Sequence, residues 1–217
     1  MNGAQFMKKI FCILIAIMVL SSLTACSLTS TANTTNDKMY IQKAELTEEE
    51  QSLLEFVGPE KTPYILDFMA DDTIQSLQIN TYELQNNEWQ LIAGGGGCKL
   101  NDSKGRIALT FDNIGLGLRT AVENKGSNSY KAEQHFDFEG LSTTTSYLTD
   151  KTTIVYEKEI PLVIQIHTAK NGVSALSPAY GFYEPQTYAD LAYEKIYAIT
   201  CLFSQKTVDE LSALSEK

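Results

Sequence analysis

Glu133, His135, Asp137 and Glu139 occupy every second position of one stretch, with Phe136 and Phe138 between them. On a strand that spacing sends all four polar side chains to one face. Two carboxylates and an imidazole can hold a divalent metal, so Glu133, His135 and Asp137 form the candidate metal set. Same-face neighbours on a strand lie roughly 6.7 Å apart, so one strand gives at most two ligands to one ion. A solvated edge strand, where charge blocks aggregation, explains the same pattern. His167 is the only other histidine, and either imidazole suits a general base. No Gly-x-Ser-x-Gly elbow accompanies them, and no residue is assigned as catalytic.

Tyr180, Phe182, Tyr183 and Tyr188 crowd one stretch together with Glu184 and Asp190, punctuated by Pro178 and Pro185. Exposed rings beside carboxylates suit stacking on a sugar or docking a protein, so these four aromatics are the candidate ligand-binding residues. In the competing reading the same rings turn inward and cap one end of the domain. Gly94 to Gly97 lack the Gly-Lys-Ser/Thr ending of a phosphate-cradling loop and read as a bulged connection beside Trp89. Cys98 and Cys201 can form a disulfide in an exported protein. Cys201 runs in phase with Tyr197, Ile199 and Phe203, which favours a buried thiol, and two free cysteines are expected.

The elements that must carry these groups are mostly strands. Apolar residues alternate with polar ones at Leu77–Ile79, Trp89–Ala93, Ile107–Phe111, Ile114–Val122, Phe136–Phe138, Ile160–Ile166 and Tyr197–Phe203. Turn signals separate them, Asn86-Asn87 and Asp102–Gly105 reading as hairpin turns. Short alternating strands without long amphipathic helices between them predict a mainly β fold, an antiparallel β-sandwich spanning residues 39–206 as a single domain. A capping box, Thr47 and Glu50, opens a predicted helix over 47–57, whose Leu53, Leu54 and Val57 should pack across one end of the sandwich. Thr187 and Asp190 suggest a helical turn over 187–191. Thr207 and Glu210 repeat the capping box in the tail, 207–217, predicting a short terminal helix or frayed end.

The first 25 residues carry Lys8 and Lys9, then an apolar run from Ile10 to Leu20, then Leu23-Thr24-Ala25-Cys26. Such a run is too short to span a bilayer, which takes roughly 20 residues, and fits an export signal. The Leu-Thr-Ala-Cys ending is similar to the lipobox of bacterial lipoproteins. That resemblance implies cleavage before Cys26, a lipid on its sulfur and attachment to the cell membrane on the extracytoplasmic side. Several acyl chains on one cysteine make such anchoring stable. Translation from Met7 would give the same signal. Residues 26–38, polar and rich in Ser, Thr and Asn, read as a flexible tether whose last 12 residues reach roughly 40 Å when extended. The runs Trp89–Gly97, Gly105–Phe111 and Ile160–Ile164 look like those of uncharacterised Firmicutes lipoproteins, a resemblance over most of the mature chain that implies no activity.

The formal charge is −10, and it falls by two more once Lys8 and Lys9 are removed. Such acidity repels nucleic acid and anionic headgroups, so no nucleic-acid partner is expected. The expected function is binding or recognition at the cell envelope, with an envelope protein, a glycan or a small ligand as partner and no cofactor. An envelope hydrolase using His135 or His167 is the alternative reading, and a structural lipoprotein without small ligand is the third.

Overall fold

The computed structural model describes residues 39–57, 62–94, 97–123, 125–131, 136–170, 174, 176–189, 191 and 193–215. Twelve strands and three short helices account for the order in these residues: β1 (Tyr40–Lys43), α1 (Glu48–Val57), β2 (Tyr64–Met69), β3 (Ser76–Gln85), β4 (Glu88–Ala93), β5 (Gly97–Lys99), β6 (Lys104–Thr110), β7 (Gly117–Val122), β8 (Gly126–Lys131), β9 (Ser142–Tyr147), β10 (Thr152–Thr153), β11 (Glu159–Thr168), α2 (Pro178–Tyr183), a 3₁₀ turn (Pro185–Tyr188), β12 (Lys195–Ser204) and α3 (Val208–Ser215). Sheet A runs β10-β1-β2-β6-β7-β8, and sheet B runs β4-β3-β12-β11-β9 with β5 also on β3. Every pairing is antiparallel. The expected mainly β sandwich is the fold observed.

Leu66, Phe68, Ile107, Leu109 and Leu118 of sheet A meet Leu77, Leu162, Val163, Ile199, Cys201 and Phe203 of sheet B in the main core. A second core lies on the other side of sheet B, where Leu84, Ile164, Ile166, Ile196 and Ala198 pack with Tyr188, Phe182, Leu176 and Trp89. β11 and β12 are therefore buried on both faces and read as nearly continuous apolar runs. The register shift between Pro161 and Val163 adds a residue to β11. This bulge overturns a single alternation through Ile160, Leu162, Ile164 and Ile166. Ile160, Leu162 and Val163 face sheet A, whereas Ile164 and Ile166 join the second core.

Local chemistry explains the connections. Asn86 and Asn87 both take positive φ, 53° and 63°, which matches the primed turn a two-residue hairpin needs. The Asp102–Gly105 segment is not a hairpin, because β5 lies in sheet B and β6 in sheet A. Ile114 to Leu116 form a turn before β7 instead of starting the strand, and 136–138 carry no strand. Thr47 and Glu50 exchange both capping bonds at 3.2 and 2.8 Å, and Thr207 with Glu210 does the same at 3.3 and 2.8 Å. α1 departs from expectation in its packing, since Leu53 is 61% and Phe56 88% exposed. Charge ties it down instead: Arg106 binds Glu50 of α1 and, at 2.7 Å, Asp67 of β2.

Candidate functional site

A cavity of about 170 Å³ opens between the sheets, on the side where β4 and β5 face β7 and β8. Its walls follow from strand alternation: Leu77, Ile79 and Thr81 come from β3, and Leu118, Thr120 and Val122 from β7. Gly94, Cys98, Lys125, Asn128 and Ser129 complete the mouth. β4 ends at Ala93 and β5 begins at Gly97, and both pair with β3 on the side away from β12. Gly94 takes φ +136° and lies so close to Asn80 that a Cβ would overlap that side chain. Burial pushes the Cys98 thiol above its ordinary range, and the Lys125 ammonium works against that rise. A second cleft, of about 450 Å³, lies over β2 and β6. Its Asp67 and Arg106 already pair with each other.

Of the sequence-predicted metal set, Glu133 and His135 lie outside the described residues. Asp137 is exposed and accepts a hydrogen bond at 2.9 Å from the Glu139 N–H, in a segment that is not strand. Among the described residues, no group of three His, Cys, Asp or Glu side chains could hold a metal ion. Cys98 and Cys201 are free thiols, Cys201 fully buried.

The four predicted ligand-binding aromatics divide. Phe182 stacks on Trp89 at 5.3 Å between ring centroids and accepts the indole N–H on its carbonyl at 2.9 Å. Tyr188 is fully buried, and its hydroxyl finds no partner among the described residues. These two rings belong to the second core. They cover the outer face of sheet B, not an end of the sandwich. Tyr180 and Tyr183 stay exposed, at 53% and 44%. The Lys158 ammonium lies 4.9 Å from the Tyr183 ring centre.

Two polar clusters escaped the sequence reading. Glu159 accepts from Asn80 at 2.7 Å, from Tyr82 at 2.9 Å and from Thr200, while Tyr183 donates to its backbone carbonyl. The polar positions of β3 and β12 that build this cluster are separated by over a hundred residues, so no local pattern announces it. The other cluster surrounds His167. Gln165 Oε1 accepts the Ile114 N–H at 2.8 Å, and its Nε2 donates to the Asp112 carbonyl at 3.0 Å. The amide so oriented presents Oε1 to His167 Nε2 at 3.1 Å, which places the ring proton there. Nδ1 is then the acceptor for the Thr143 hydroxyl at 3.0 Å.

Hydroxyl, imidazole and orienting amide thus stand in the order that activates a nucleophile. Burial nevertheless lowers the His167 pKa to about 4, poorly matched to base catalysis near neutral pH. Phe138 covers the ring at 4.6 Å between centroids, and neither cleft has Thr143 or His167 in its wall. The arrangement pins β9, β11 and the loop before β7 together.

Compared with known proteins, the chain matches no family model, no curated protein and no solved structure.

Proposed function

We propose that this chain is a membrane-anchored extracytoplasmic lipoprotein that serves as a binding module at the cell envelope and takes a small ligand between its two sheets. The cavity beside β4, β5, β7 and β8 carries the ligand part of the reading, because its wall joins apolar side chains to hydroxyl, amide and ammonium groups. Its volume, about 170 Å³, is close to that of an engineered apolar cavity of about 150 Å³ that accepts benzene. A ring or a short chain is the size of guest it accommodates. The leader and Leu23-Thr24-Ala25-Cys26 support the anchor.

A hydrolase working through His167 is the weaker reading, given its enclosure and depressed pKa. The exposed pair Tyr180 and Tyr183 favours a second contact surface, for a glycan or an envelope protein.

Two measurements test the proposal. Intact mass of the membrane fraction should show residues before Cys26 removed and a lipid added, and Cys26→Ser should release the chain from membranes. An unmodified Cys26 in the mature protein refutes the anchor. For the cavity, small ring compounds should shift the methyl resonances of Leu77, Leu118 and Val122, and Thr120→Phe, which fills the space, should abolish the shifts without unfolding the chain. Shifts that survive the filling substitution place the guest elsewhere.

A further inference from the structure

The cavity's electrostatics are the reverse of the chain's. The sequence holds 27 Asp and Glu against 17 Lys and Arg, with a net charge of −10. Among the described residues lining this space there is no Asp or Glu, and Lys125 is the one charged residue. The turn between β7 and β8 sets Lys125 at the rim, its N–H bonded to the Val122 carbonyl at 3.0 Å. Lys125 is half-buried, and its ammonium is near enough to Cys98 to bear on the thiol. It makes no ion pair among the described residues, whereas Lys195, Arg106 and Lys206 each bind carboxylates. Leu77, Ile79, Leu118 and Val122 give the wall its apolar side chains, and Thr81, Thr120, Asn128 and Ser129 give it hydroxyl and amide groups.

We infer that this cavity selects a small amphipathic monoanion: an apolar ring or short chain buried against the leucines, with a carboxylate held by Lys125 and within reach of the hydroxyls of the wall. The inference rests on the cavity being a ligand site and adds the charge of what enters. A neutral guest would leave the ammonium without a counter-charge as the mouth fills, and a cationic one would be repelled. The carboxylate supplies the missing partner, accepting from the ammonium and from hydroxyl donors. Acidity elsewhere on the surface slows anion approach, so the preference should appear in the dissociation rate more than in the association rate.

The test uses the full chain in a nonionic detergent and three near-isosteric probes: benzoate, benzamide and benzamidinium. Binding is followed by the methyl resonances of Leu77, Ile79, Leu118 and Val122. At low salt, benzoate should bind about fivefold more tightly than benzamide, and benzamidinium weakest. Lys125→Met should bring benzoate to the affinity of benzamide while leaving benzamide unchanged, and Lys125→Arg should keep the preference. Added salt should narrow it. Equal affinity of benzoate and benzamide, or a Lys125→Met chain that still prefers benzoate, overturns the charge assignment and leaves the cavity standing as a ligand site. Failure of all three probes to move any of these methyls overturns the cavity itself.

Discussion

His167 shows how enclosure decides what a side chain can do. Phe138, Tyr197 and Thr143 surround a ring with no exposed surface, and burial takes its pKa from 6.5 to about 4. The unfolded chain therefore takes up a proton at a pH where the folded chain does not. Stability from the neutral ring is complete above pH 6.5 and drains as pH falls toward 4, a loss of about 3 kcal/mol in all. Glu50, Asp71 and Glu210 have lowered pKa values, so their losses come at pH values below the ordinary 4.5 and 3.8 of such groups. Between pH 6.5 and 4.5 the loss expected from these groups is that of His167. In a His135→Gln chain, urea unfolding should lose about 1 kcal/mol per pH unit there, and a flat profile would contradict the enclosure of His167.

At the scale of the element, the short helix α2 makes one especially close contact with the 3₁₀ turn that follows it. Gly181 lies against the Tyr188 hydroxyl, where an alanine methyl would overlap the oxygen and approach the ring Cζ to 2.9 Å. The hydroxyl has no partner among the described residues, and burial pushes its pKa up to about 12. Tyr188→Phe removes an unsatisfied buried group, so stability should hold or rise by about 1 kcal/mol. Gly181→Ala should cost about 2 kcal/mol, and less when combined with Tyr188→Phe, because part of the clash has gone. A double-mutant cycle by urea unfolding measures the coupling. Equal costs in both backgrounds would mean that the two elements do not touch as described.

For the whole molecule the telling feature is a sheet covered on both sides. Ile199 faces sheet A and Ile196 faces the aromatic segment, and neither has exposed surface. Ile199→Ala and Ile196→Ala should therefore each cost between about 2 and 5 kcal/mol in chemical denaturation. If the outer face of sheet B were solvated, the Ile196 change would cost far less. The second core also takes in Trp89, stacked against Phe182, and of the four candidate ligand-binding aromatics it leaves Tyr180 and Tyr183 exposed.

Local energies were legible from the residues alone. Period-two alternation marked six of the twelve strands, Asn86-Asn87 marked a primed turn, and Thr-x-x-Glu marked two helix starts, because each depends on neighbours within a few residues. β1, β2, β5, β8, β9 and β10 were not read out, since they are short or carry weaker alternation. What required the tertiary structure is set by distant partners. The bulge near Leu162 turns Gln165 and His167 inward, and β3 with β12 gathers Asn80, Tyr82 and Thr200 around Glu159. The cavity likewise forms where β3, β4 and β5 of one sheet stand opposite β7 and β8 of the other. Side-chain direction along a strand is a local property, but which strand it then meets depends on pairing across most of the chain.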